Sequence, residues 1–233
     1  MTLDVKSILT RARVMDNYSY LLIDEKTKLS AIIDPSEVAP IVKVCNDLSI
    51  KPDYVLNTHH HFDHTDGNLE LKKLYNLKIV GAEDRIPGID IKVKDGETWA
   101  LGESIAHIID VSAHTQGHIL WYFKDDKMLF TGDTLFNLCI GGLFEGTPQE
   151  MFEALKKIKL LPDDVSFYPG HEYTMHGVED ALRYNPSKEL LEYVKNAELR
   201  LSKGLPVHPT KLGIEKKVNP YLQANTLEEF TRT

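Results

Sequence analysis

Cysteine is nearly absent: the 233 residues contain two, Cys45 and Cys139. A disulfide framework is excluded, and a reducing compartment is the expected setting. No run of about 18 apolar residues occurs, so no membrane span is expected. The opening stretch MTLDVKSILTRARVMDNYSY is interrupted by charges and lacks the apolar core of a signal peptide. Positive charge is in deficit, 27 Lys and Arg against 35 Asp and Glu for a net −8, which argues against a nucleic-acid surface. Internal repeats and low-complexity linkers are missing too. What remains, 42% hydrophobic and 27% charged, is an ordinary globular composition. It suffices for one large domain, or one domain and a small appendage, and the expected location is the cytoplasm.

Short apolar runs separated by turn signals dominate the first two thirds. YLLID and SAIIDP read as strands joined by the turn EKTK, and Val38 to Leu48 has helical spacing. DYVLNT and KIVGA read as buried strands flanking the amphipathic helix NLELKKLYNL. ESIAHIIDV, HILWYF and KMLFTGD follow as strands, the last two joined by a hairpin turn at Asp125 and Asp126. Thr147, Pro148 and Glu150 spell a capping box with proline at the first helical position, so a helix opens at TPQEMFEALKKIKLL. DVSFYPGHEY supplies one more strand and loop. Beyond Tyr173 the chain turns helical and charged, which suggests a division into residues 1–173 and a C-terminal helical region, 174–233.

The stretch THHHFDHTDGN, from Thr58, crowds four histidines and two aspartates into eleven residues. It follows the strand DYVLNT directly. In extended backbone His59 and His61 point one way and His60 the other. Asp63 and His64 lie on the turn into the next helix, where the chain can aim them back. Further ligand-type residues each follow an apolar run: His114 in SAHTQGH, Asp133 in FTGDT and His171 in YPGHEY. Loops past strand ends are where functional side chains gather. Five histidines and two aspartates are too many for one tetrahedral ion and suit two, with zinc favoured and iron or manganese compatible. His60 is expected in a supporting role and His118 bonded within the fold. Asp34 is either an acceptor orienting a ligand histidine or a turn residue before Pro35. Gly132 and Gly170 are expected to permit tight backbone geometry beside Asp133 and His171.

THHHFDH, HTQGH, GDTLF, FEGT and PGHEYT, in that order, resemble the metallo-β-lactamase superfamily and, within it, the glyoxalase II (hydroxyacylglutathione hydrolase) branch. The similarity runs from MDNYSYLLID to VNPYL. It implies an α/β fold, an αββα sandwich with a C-terminal helical substrate-binding region and metals at one edge. It implies that His59, His61 and His114 hold one metal ion, that Asp63, His64 and His171 hold a second, and that Asp133 bridges them with a hydroxide. Asp63 and Asp133 are then catalytic, and Tyr173 and Phe144 contact substrate. Two cations make hydroxide available near neutral pH, and a thioester offers a good leaving group. The implied reaction is hydrolysis of S-D-lactoylglutathione to D-lactate and glutathione, with no nucleic-acid or membrane partner. Two positions depart from the family pattern: Gly142 stands where a basic residue is frequent, and Gln223 where arginine is usual. Lys211, Lys216, Lys217 or Arg232 are possible replacements. The alternatives are a persulfide dioxygenase-like oxidoreductase with one iron and a thioesterase for another thiol carrier.

Overall fold

Tyr20 and Leu22 point to one side of their strand and Leu21 to the other, and all three are buried. A strand buried on both faces must lie between two apolar layers. A computed structural model describing residues 2–233 shows those layers. The first sheet runs, in spatial order, β1 (Leu3–Thr10), β2 (Asn17–Asp24), β3 (Ser30–Ile33), β4 (Tyr54–Leu56), β5 (Lys78–Gly81) and β6 (Ile91–Lys92). Its first two pairings are antiparallel and the remaining three parallel. The second sheet comprises β7 (Thr98–Leu101), β8 (Ser104–Asp110), β9 (Ile119–Phe123), β10 (Met128–Gly132), β11 (Ser166–Pro169) and β12 (Thr210–Lys211), again as neighbours in that order. Only β10 and β11 pair in parallel.

The sheets meet over a core that includes Tyr20, Leu22, Ile33, Leu56, Trp121, Phe123 and Phe130. Helices α1 (Val38–Asp47) and α3 (Asn68–Tyr75) cover the outer face of the first sheet, packing Ile41, Cys45 and Leu71 on Leu21, Ile32, Val55 and Ile79. A single turn of helix, α2 (Phe62–Thr65), precedes α3. The second sheet is covered by α4 (Pro148–Lys159), whose Met151, Leu155 and Ile158 recur at helical spacing. Thr147 and Glu150 close the predicted capping box: Thr147 Oγ1 accepts from the Glu150 N–H, and the Glu150 carboxylate accepts from the Thr147 N–H at 2.7 Å. The order helix, sheet, sheet, helix is the expected αββα sandwich.

After a short 3-10 turn, Thr174–Gly177, the chain continues as α5 (Val178–Tyr184), α6 (Lys188–Ser202), α7 (Leu212–Val218), α8 (Pro220–Gln223) and α9 (Leu227–Arg232). Leu212, Leu222 and Phe230 join the layer built on α4, while β12 extends the second sheet beside β11. No helix among the described residues is long and apolar enough to cross a membrane. Cys45 and Cys139 are not bonded to each other.

Candidate metal centre

Four loops deliver the candidate ligands, and each leaves the C-terminal end of a strand. His59, His60 and His61 follow β4, His114 follows β8, Asp133 follows β10 and His171 follows β11. β4 stops at Leu56, earlier than the sequence suggests, because Asn57 to His61 leave the sheet to turn into α2. The alternation of directions survives that change. The His59 and His61 rings lie 4.8 Å apart, while His60 turns outward with Nδ1 2.6 Å from Glu83 Oε1. Asp63 and His64 sit within α2 itself, so one helical turn presents both inward.

All seven candidates converge, and they do so as two trios. In each of His59, His61, His114 and Asp63, His64, His171, one potential ligand atom per residue lies within 4.8 Å of the others. His61 Nδ1 is 3.1 Å from His114 Nε2, and His64 Nε2 is 3.2 Å from His171 Nε2. Tetrahedral zinc with bonds near 2.05 Å holds its ligand nitrogens about 3.3 Å apart. Asp133 stands between the trios: its Oδ2 is 3.5 Å from His114 Nε2 and 3.2 Å from His171 Nε2. His64 Nε2 approaches the other oxygen, Oδ1, at 3.2 Å.

Four of the five imidazoles are anchored through the nitrogen that faces away from the centre. His114 Nδ1 donates to the Gly142 carbonyl at 2.6 Å and His171 Nδ1 to the Met15 carbonyl at 2.8 Å. His64 Nδ1 donates to Asp34 Oδ2 at 3.1 Å. Thr58 Oγ1 gives its proton to the same Asp34 oxygen at 2.6 Å, so it accepts from His59 Nδ1 at 3.0 Å. These bonds fix the tautomers and leave the inward nitrogens with free lone pairs, the form a metal requires. Asp34 is buried with positive φ and also accepts from the Thr58 N–H. It is the orienting acceptor, not merely a turn residue. With both oxygens engaged by Thr58 and His64, it is poorly placed to ligate, although it groups with His59 and His64 by distance.

Two supporting residues complete the cage. His118 stacks on His59 at 4.7 Å, and its Nε2 accepts from the Asp133 N–H at 3.1 Å, consistent with a histidine bonded within the fold. Asn17 donates from Nδ2 to both the Asp63 carbonyl and Asp63 Oδ2, each at 3.0 Å. No local sequence signal ties Asn17 to a residue 46 positions away. Gly132 and Gly170 are required by space. A Cβ on Gly132 would lie 2.4 Å from Thr58 Oγ1, and one on Gly170 2.3 Å from Asp133 Oδ1.

The electrostatics divide the trios. Burial and neighbouring histidines hold His59 well below the ordinary imidazole range and His61 down to about 4, and burial also lowers His114. Burial opposes charge at His64 and His171 as well, but there the Asp133 carboxylate, with Asp34 or Asp63, prevails. His64 is held well above its usual value and His171 at about 9. Burial alone would raise Asp63 and Asp133, yet the same histidines keep both carboxyls below the usual range. Protons on His64 and His171 therefore balance charge that a divalent cation can balance instead. His59 Nε2 is buried and makes no hydrogen bond, and neither does Asp133 Oδ1. An inward lone pair without a donor, among four other imidazoles and two carboxylates, fits two divalent cations of the zinc, iron or manganese type.

Phe144 packs edge-on against His61 and His114 at 5.4 and 5.2 Å, and Tyr173 stacks on His171 at 4.5 Å. With Met15, Phe62, Phe136 and the ligands they line a cavity of about 320 Å³. The cations suggested as replacements for Gly142 and Gln223 do not line it. Lys211 is held by the Asp164 carbonyl and Ser166, Lys216 by Asp163, and Arg232 by Glu228. Gln223 bridges Asn185 and the Lys217 carbonyl. His208 is buried among Tyr18, Tyr20 and Tyr168, with Nε2 2.9 Å from Ser7 Oγ and Nδ1 unpaired.

Comparison with known proteins agrees with this geometry. A family model described as the metallo-beta-lactamase superfamily matches residues 17–171. The hydroxyacylglutathione hydrolase of Pelagibacter ubique is 41% identical over 223 residues, covering 94% of this chain and 93% of its own. That of Methylococcus capsulatus is 39% identical over 217 residues, covering 91% and 85%. Among solved structures, ETHE1 from Myxococcus xanthus superposes with a TM-score of 0.75 at 22% identity, covering 98% of this chain and 88% of that one, a likeness of fold. The chain belongs to the metallo-beta-lactamase superfamily and, within it, to the hydroxyacylglutathione hydrolases.

Proposed function

We propose that the chain is a metal-dependent thioester hydrolase that converts S-D-lactoylglutathione to D-lactate and glutathione. The observation that carries this reading is the position of Asp133, whose carboxylate lies between two imidazole-containing trios at the floor of an open pocket. His59, His61 and His114 would hold one cation, Asp63, His64 and His171 the other, and Asp133 both. Cations bound there supply Lewis acidity to the thioester carbonyl and lower the pKa of the water that attacks it. The protein's own part is to hold four of the five imidazoles by their outer nitrogens and to keep Asp63 and Asp133 ionised. Phe144 and Tyr173 wall the pocket above that floor, where substrate must lie. Water adds to the carbonyl carbon, the C–S bond breaks, and the sulfur leaves as a thiolate that needs no strong acid to depart.

Zinc suits the donor set, with iron or manganese as alternatives. A single-iron oxidoreductase would leave Asp63, His64 and His171 without a role, although Asn17, Asp34 and Met15 hold all three in place. We place catalysis in residues 1–173 and substrate binding partly in 174–233, a division supported by the end of the family match at residue 171. Two unbridged cysteines agree with a cytoplasmic location. The test is hydrolysis of S-D-lactoylglutathione by protein whose metal content is measured on the same sample. Two ions per chain and thiol release are expected, with Asp133→Ala reducing turnover to background. Inactivity of fully loaded protein toward a range of acylglutathiones would overturn the reading.

A further inference from the structure

The floor of the pocket is charged and its walls are not. Met15, Phe62, Phe136, Phe144 and Tyr173 form the walls, and no Lys or Arg is among the described residues that line them. The apolar surface continues outward. Phe144 is 71% exposed and Phe62 57%, and Val14 and Leu143, next in sequence to lining residues, are exposed as well. Single exposed apolar side chains are unremarkable, but large ones gathered at one mouth mark a contact surface.

Two arginines beside this mouth are already paired. Arg11 lies 5.2 Å over the Phe62 ring and pairs with Asp66. Arg85 is shared between Glu83 and Glu145, one guanidinium against two carboxylates, and Glu145 adjoins Phe144. A thiol arm bearing carboxylates, as glutathione does, would meet aromatic rings and acidic neighbours there, with no Lys or Arg among the described residues that line the pocket.

Within the thioester-hydrolase reading, on which this rests, we propose that the thiol arm is recognised by apolar contact with Phe62 and Phe144 and not by its charge. Thioesters of uncharged thiols are then substrates at least as good as the glutathione thioester.

The test uses the zinc-loaded full chain and D-lactoyl thioesters of glutathione, of its N-acetyl diethyl ester and of N-acetylcysteamine. kcat and KM are measured at about 50 mM and about 500 mM salt, which shortens the Debye length several-fold. The neutral thioesters should match or exceed the glutathione thioester in kcat/KM, and KM for the latter should hold or fall as salt screens the acidic rim. Phe62→Ala and Phe144→Ala should each raise KM for the neutral thioesters about ten-fold while kcat changes little, as loss of apolar contact does. A preference of more than about ten-fold for the glutathione thioester, with KM rising in salt, overturns the proposal, as does an unchanged KM in both phenylalanine variants. Failure to hydrolyse any of the three by fully loaded protein overturns instead the thioesterase reading beneath it.

Discussion

Asp34 carries one negative charge and serves both ligand trios, His64 directly and His59 through Thr58. Removing such an outer partner typically costs 10- to 100-fold in metal affinity or activity. Asp34→Ala should therefore weaken both metal sites together by about that factor. Asn17→Ala, which frees Asp63 and removes a neighbour of His171, both of the second trio, should weaken one. Competitive titration with a chelator separates the cases: two ions lost in parallel support the shared role, and loss of one removes it. A different residue sets acid sensitivity. Burial, and then the Arg200 guanidinium, press His208 down to about 3 from an ordinary 6.5. Its folded pKa is depressed, so between these values the unfolded chain takes up a proton that the native one refuses. The associated stability is fully present above pH 6.5 and is lost as pH falls toward 3, by at most about 1.4 kcal/mol per pH unit. In urea unfolding measured at pH 7 and pH 5, His208→Gln should show a shallower loss than the parent chain. Equal slopes would mean that His208 is not the group titrating. Neither residue's role could be read locally: Asp34 precedes a proline as turn residues do, and the tyrosines around His208 come from two strands of different sheets, β2 and β11.

Elements were legible in the sequence to the extent that their pattern is local. α4 is the clearest case, because Thr147, Pro148 and Glu150 satisfy its first turn with neighbours alone. Thr147→Ala should cost about 1 kcal/mol in thermal or denaturant unfolding. Activity should be unchanged, since the cap touches neither the ligands nor the pocket lining. A loss of activity at retained stability would show that the loop before α4 is coupled to the site. β1 is the opposite case. Leu3 to Lys6 alternate apolar and charged types but Ser7 to Thr10 break that period, and the strand exists because it pairs along its whole length with β2. β12 has two residues and α8 four, too few to display a period. They are held by packing: Leu212 and Leu222 reach the layer on α4, and the β12 pair continues the sheet from β11. The metal ligands were legible because each follows an apolar run, although what holds their outer nitrogens was not. Met15 and Gly142 do so through carbonyls that any residue could offer.

At the scale of the whole molecule, the C-terminal helices are tied to the loop that leaves Asp133. Glu215, on α7, is fully buried and accepts from the Leu138 N–H at 3.0 Å, from Asn137 Nδ2 at 3.2 Å and from the Tyr193 hydroxyl at 2.5 Å. Leu138 has positive φ, a backbone state that a side chain rarely adopts unaided, and it packs against Ala181, Leu190 and Val218 of three tail helices. Asn219 reaches the same loop, donating to the Phe136 and Cys139 carbonyls. Phe136, two residues before Leu138, lines the pocket. The tail thus fixes a pocket wall from behind without touching a ligand. Glu215→Ala would strand several buried donors, each costing about 1–3 kcal/mol where water cannot reach it. The milder Glu215→Gln keeps one acceptor oxygen and tests function in a folded chain. Two metal ions per chain and near-normal kcat are expected for it, with KM for the thioester raised as Phe136 loses its fixed position. Loss of a metal ion would instead place Glu215 in support of Asp133, and an unchanged KM would make the tail a covering layer with no hand in the pocket.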